Sequence, residues 1–166
     1  MNAKSVANYF LQLAEDEGEE IDPMKLQKLI YYAHGWYAGN FNEPLLDDAI
    51  QAWRFGPVIP SIYHEFKRFG AGTITAKATA FDGHQFRDVP IPEDEYDRKF
   101  LDIVWRKYKG YTGKKLSEMT HADGSPWDQV WEGNGNQTAE IPFPLIQQHF
   151  AGVLNRLRNK TPEAVF

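Results

Sequence analysis

Residues 22–39 read DPMKLQKLIYYAHGWYAG, and this stretch decides the fold class. Asp22 is a side-chain cap for free N–H groups, and Pro23 suits the first helical position because its missing N–H costs nothing there. Ile21, just before the cap, can close over Leu26 as a hydrophobic staple. The spacing predicts a helix over about Pro23 to Ala38, ended by Gly39 and Asn40. Leu26, Leu29, Ile30, Ala33, Trp36 and Tyr37 cover far more of its surface than one narrow stripe. A helix apolar on most sides belongs at the centre of a domain, with other elements packed around it. His34 and Gly35 inside it read as a packed or hydrogen-bonded histidine and a point of close backbone approach.

Outward from this helix, Ser5 to Gly18 forms a first helix with Val6, Phe10, Leu13 and Ala14 on one stripe. Downstream, Ile50 to Phe55 reads as a short extended segment that Pro57 and Pro60 keep out of a central sheet. A third helix begins at Pro60 and Ser61, buries Ile62, Tyr63, Phe66 and Phe69, and stops at Gly70. Residues 73–91, with β-branched positions around Asp82-Gly83, predict a hairpin. Glu93 to Tyr108, a short helix near Lys114 to Thr120, another opened by Ser125-Pro126, and a last one over Pro144 to Leu157 complete the chain. GNGN at 133–136 reads as a mobile loop and residues 159–166 as a frayed end. The expectation is one α+β domain spanning 1–166, predominantly α-helical, with a core over about 5–157 and a small antiparallel sheet or hairpin.

Composition narrows the function. A chain of 166 residues with 25% charged residues matches an ordinary globular domain. Its lack of cysteine excludes disulfides and thiol chemistry and favours a reducing compartment. No stretch offers the roughly 18 consecutive apolar residues of a membrane span, and the N-terminus lacks a signal-peptide pattern. The expectation is a cytoplasmic protein with no membrane partner. A net charge of −5 argues against nucleic-acid binding. Arg106, Lys107, Lys109, Lys114 and Lys115 read as solvated helix faces.

No phosphate loop, nucleophile elbow or H-E-x-x-H motif occurs in the sequence. His34, His64, His84, His121 and His149 are scattered, so no metal or cofactor site is expected. Thr120 to Trp127, THADGSPW, places His121, Asp123 and Ser125 within a few residues of one another. A small hydrolase or transferase built on His121, Asp123 and His64 is one reading. The preferred reading is a turn at Asp123-Gly124, a helix cap at Ser125, and a local hydrogen bond from His121.

Three motifs in order, MKLQKLIYYAHGWYAG, AWRFGPVIPSIYHEFKRFG and LSEMTHADGSPW, resemble the Panacea domain family of SocA-like and GepA-like, phage-associated proteins. The match runs from about Ser5 to Phe150. The resemblance implies an antitoxin, not an enzyme, that neutralises a cognate toxin by direct contact, with a protease as a second partner in some members. Prophage association and a homo-oligomer are compatible with it. A mobile-element regulator is a further alternative, disfavoured by the charge and by a start close to the domain without a helix-turn-helix.

AWRFGPVIP supplies the candidate contact surface. Trp53 and Phe55 are expected to alternate inward, and Arg54 to face the other way. Arg54, with Tyr63, His64 and Lys67 on the following helix, is the expected partner-binding set. An ion pair from Arg54 to Asp47 or Asp48 is the competing role.

Overall fold

The computed structural model describes residues 1–134 and 138–160. Helix α2, Pro23–Phe41, is the axis of the domain. Asp22 accepts from the Lys25 N–H and Pro23 occupies the first turn, as the sequence requires. Around α2 pack α1 (Ala3–Glu17), α3 (Pro60–Phe66), α4 (Glu95–Tyr108), α5 (Gly113–Thr120) and α7 (Phe143–Lys160), with α7 making the most extensive contact. Helix α6 (Pro126–Asn134) lies against α7 and the first strand. Two antiparallel ribbons accompany the helices: β1 (Gln51–Trp53) with β2 (Gly56–Val58), and β3 (Thr79–Phe81) with β4 (Phe86–Asp88). The molecule is a single α+β domain, mainly helical, as its sequence predicts.

The centre is aromatic. Tyr32 stacks on Tyr108 with ring centroids 4.4 Å apart, and Phe150 meets Tyr31, Tyr32 and Trp36 edge-on. The Trp36 indole donates to the Tyr108 hydroxyl at 2.7 Å, so the buried polar ends of both rings are paired. Gly35 and Gly39 let α7 come this close. A Cβ on Gly35 would overlap the Phe150 ring, and one on Gly39 would lie 2.8 Å from the Phe150 backbone. That contact explains why α2 runs past Gly39 and Asn40, where a stop is expected, to a left-handed cap at Asn42. Burial against α7 outweighs the weak helix preference of glycine.

Other boundaries shift for local reasons. Helix α1 begins at Ala3 because Asn2, not Ser5, accepts from the Lys4 N–H. The Ser5 hydroxyl instead donates to the Pro90 carbonyl. Phe69 falls in a 3-10 turn after α3, and Tyr63 stands on the exposed side of α3 rather than the buried one. The Asp82-Gly83 hairpin forms as expected, with Asp82 accepting from the N–H groups of His84 and Gln85. The buried Asn8 carries it: its amide donates to the carbonyls of Ala78 and Val89 and accepts from the Ala78 N–H. Gly133 and Asn134 belong to α6, whereas the rest of GNGN lies outside the described residues. The expected frayed end is helical through Lys160, and residues 161–166 also lie outside them.

Candidate functional site

The expected extended segment over Ile50 to Phe55 is the first arm of a hairpin. The chain reverses after Trp53, which pairs with Gly56, so Arg54 and Phe55 form the turn. Gly56 has φ 106°, a positive value that glycine adopts without a Cβ clash, directly after the two-residue turn. Pro57 fits within β2 because β2 is an edge strand, paired in its sheet with β1. On the far edge of β1, the Ala52 N–H donates to Ala139 and the Ile141 N–H to Ile50.

Alternate carbonyls of this segment are held by side chains from three other elements. The Trp127 indole donates to the Trp53 carbonyl at 2.7 Å, and the Ser117 hydroxyl to that of Phe55 at 2.7 Å. The Lys28 ammonium donates to the Pro57 carbonyl at 2.9 Å, and the Gln27 amide to that of Ile59 at 3.0 Å. Gln27 also accepts from the Ile59 N–H, so it pairs with that residue as a strand neighbour would. The spacing of two between Pro57 and Ile59 follows from extended backbone, in which carbonyls alternate in direction, whereas the Trp53 and Phe55 carbonyls belong to the turn. All three motifs singled out in the sequence therefore meet at one hairpin.

Lys28 is 2% exposed, and among the described residues no acid pairs with it. Burial pulls its pKa down to about 7. Thr120 and Gly56 crowd the same spot, since a Cβ on Gly56 would meet the Thr120 hydroxyl at 2.6 Å and Lys28 Nζ at 3.0 Å. His121 is lowered too, first by burial and then by the charge on Lys28. The expected local hydrogen bond from His121 is corrected: its buried Nε2 has no partner among the described residues, and the backbone group that acts on the imidazole is that of Phe55, distant in sequence. Instead the imidazole stacks on Trp127, with centroids 3.9 Å apart. Ser125 is the helix cap expected of it, accepting from the Asp128 N–H and donating to the Thr120 carbonyl. Asp128 reaches back to the Gly124 N–H. Ser125 is thus buried and engaged, Asp123 is exposed, and no hydrogen bond joins either to His121 among the described residues.

The outer face of the hairpin is aromatic and basic. Phe55 is 57% exposed, which corrects its expected inward orientation, and the Arg54 guanidinium lies 5.4 Å from its ring centre. The two sit together at the turn because the alternation that would separate them ends at Trp53. Half-buried Trp53 meets Tyr63 edge-on at 4.8 Å, and Lys67 Nζ stands 6.0 Å from the Tyr63 ring centre. His64 is exposed beside Tyr63. All four expected residues, Arg54, Tyr63, His64 and Lys67, thus lie around one edge. Arg54 does not pair with Asp47 or Asp48: Asp47 binds the N-terminal ammonium, and Asp48 accepts from the Ala3 N–H and the Ser61 hydroxyl. Glu65 is also engaged, accepting from Lys4 and from the Thr79 N–H. Between the hairpin, α3 and the start of α2 runs an apolar groove of about 420 Å³, lined by Met24, Lys28, Trp53, Arg54, Phe55, Val58, Ile62 and Tyr63. Two larger depressions lie elsewhere, one along α1 and residues 73–77, one beside Glu19, Asp22 and Thr112; both have more polar walls.

A family model described as antitoxin SocA-like, Panacea domain, matches residues 26–128, which hold the whole hairpin and all four of its clamps. The chain belongs to that family. It is also 31% identical over 137 residues to the Antitoxin SocA of Caulobacter vibrioides (strain NA1000 / CB15N), covering 81% of this chain and 73% of that one. No solved structure matches. Membership of the Panacea family supports an antitoxin role. Sequence reasoning missed Gln27, Lys28, Ser117 and Trp127; all lie in the quoted motifs, and the polar residues interrupting the apolar run at Gln27-Lys28 were the available signal.

Proposed function

We propose that this Panacea domain neutralises a cognate protein toxin by direct binding, with the β1–β2 turn and the exposed side of α3 as the contact face. The observation that carries this reading is the contrast within one hairpin. Its backbone is held by four side chains from α2, α5 and α6, while Arg54 and Phe55 project into solvent. A rigid, exposed Arg–aromatic pair beside Tyr63 loses little side-chain freedom on docking, and residues of these types dominate interface energies. A cytoplasmic site of action belongs to the same proposal, supported by the lack of cysteine; among the described residues, no helix is long and apolar enough to cross a membrane. A protease that removes the captured toxin is a second partner compatible with this face.

A hydrolase or transferase centred on His121 and Asp123 has less support. His121 is stacked on Trp127, Asp123 points to solvent, and His64 stands on α3. We therefore read the chain as non-enzymatic. The test is co-expression with the product of the neighbouring gene, followed by affinity measurement with wild type and with Phe55→Ala combined with Tyr63→Ala. The expected result is binding at least about 10-fold weaker, roughly 1.4 kcal/mol, with an unchanged circular dichroism spectrum. Wild-type affinity in the double variant would remove this face from the toxin interface.

A further inference from the structure

Among the described residues, the charged side chains that line the groove, Lys28 and Arg54, are basic although the chain as a whole is acidic. The net charge is −5, yet no carboxylate lines the groove among the described residues. Arg54 lines it, Lys67 Nζ stands 6.0 Å from the ring centre of Tyr63 in its wall, and among the described residues neither cation forms an ion pair with an acid. Glu65 on α3 is engaged with Lys4 and Thr79, and Asp48 with Ala3 and Ser61. Lys28 adds a buried amine in the groove wall, with one hydrogen bond to Pro57. The groove walls themselves are apolar and aromatic.

From this juxtaposition we infer that the groove takes an acidic segment of the partner protein in which an aromatic or leucine side chain is flanked by carboxylates. The inference rests on the reading of this face as the toxin-binding face. The apolar side chain fills the space between Met24, Phe55 and Ile62, and the flanking carboxylates meet Arg54 and Lys67. Complementary charge at a rim raises the rate of encounter and excludes partners of the wrong sign, and it weakens with salt. Aromatic rings with cations also suit single-stranded nucleic acid. The acidic balance of the chain disfavours that occupant, and it enters as an outcome of the test.

The probes are a fluorescent peptide of alternating Leu and Glu around one Trp, the same peptide with Lys for every Glu, and labelled oligo(dT). Fluorescence anisotropy with the full chain should show binding of the Glu peptide only. Its affinity should fall at least about 10-fold in the Arg54→Glu, Lys67→Glu double variant and decline as salt is raised. Failure of the Glu peptide to bind, equal binding of the Lys peptide, tighter binding of oligo(dT), or indifference to charge reversal would each overturn the inference. The toxin itself separates the two readings. If Phe55→Ala with Tyr63→Ala weakens toxin binding but the charge reversal does not, the face stands and its acidic occupant falls. If neither weakens it, the face itself is wrong.

Discussion

The indole N–H of Trp127 donates to the backbone carbonyl of Trp53 at 2.7 Å across a sequence separation of 74 residues. This bond fastens the start of α6 to the end of β1, just before the exposed turn. Trp127→Phe keeps an aromatic ring but removes the donor, leaving the part-buried Trp53 carbonyl with its ladder pairing to Gly56 and without the long-range bond. The expected cost is about 0.5–1.5 kcal/mol, the net worth of one hydrogen bond, measured by urea denaturation. Hydrogen exchange over residues 51–58 should quicken as well. An unchanged midpoint would mean that the bond contributes nothing to holding the hairpin.

His121 tests the same corner from the other side. Its stack on Trp127 is worth about 0.5–1.5 kcal/mol by the usual range for aromatic pairs. His121→Ala should therefore lower the thermal midpoint modestly and leave toxin neutralisation intact in overproduced protein. Loss of neutralisation with an unchanged melting curve would return this residue to the list of chemical groups.

Lys28 makes stability depend on pH. Its pKa falls from 10.5 in the open chain to about 7 in the fold. Between those values the unfolded chain binds more protons than the folded one, so stability rises with pH across that window. Below about pH 7 both states are protonated and the contribution is flat, at its most unfavourable. Lys28→Met removes that penalty but also the donor to the buried Pro57 carbonyl, so the variant's stability relative to wild type should be highest at pH 6 and fall by about 1–3 kcal/mol towards pH 10. The measurement is a set of denaturation curves over that range. A difference between variant and wild type that does not change with pH would contradict the burial of a charged amine.

The contact of α2 with α7 is closed to larger residues. Gly39→Ala brings a methyl group to 2.8–2.9 Å from the backbone at Phe150 and Ala151, and backbone cannot rotate away. The expected loss is about 1–3 kcal/mol, the range for overpacking. Gly35→Ala meets the Phe150 ring instead, so Phe150→Leu should recover part of its loss but none of the Gly39→Ala loss. Equal rescue of both would show that α7 shifts as a body.

Ile30 reports on the centre of the domain. It is fully buried on α2, and Ile30→Ala should cost about 2–5 kcal/mol, with a correspondingly lower thermal midpoint. A midpoint unchanged within error would place α2 at the periphery.

The sequence by itself determined the elements whose physics is local. Asp22-Pro23 and Ser125-Pro126 start helices because caps act within one turn, and Asp82-Gly83 makes a hairpin because its backbone preferences are its own. The apolar breadth of residues 26–37 was enough to put α2 at the centre. The order of three motifs was enough to indicate the family. Tertiary structure decided the site. Alternation along residues 50–55 separates Arg54 from Phe55, but the chain turns after Trp53 and brings both to the surface. That turn is set by its clamps on residues 53, 55, 57 and 59, which come from 29 to 74 residues away. Helix α2 likewise continues through Gly39 because α7 packs there, against the local preference to stop. A hydrogen bond between distant segments leaves no periodic trace in either one, so only the folded backbone shows which carbonyl each side chain meets.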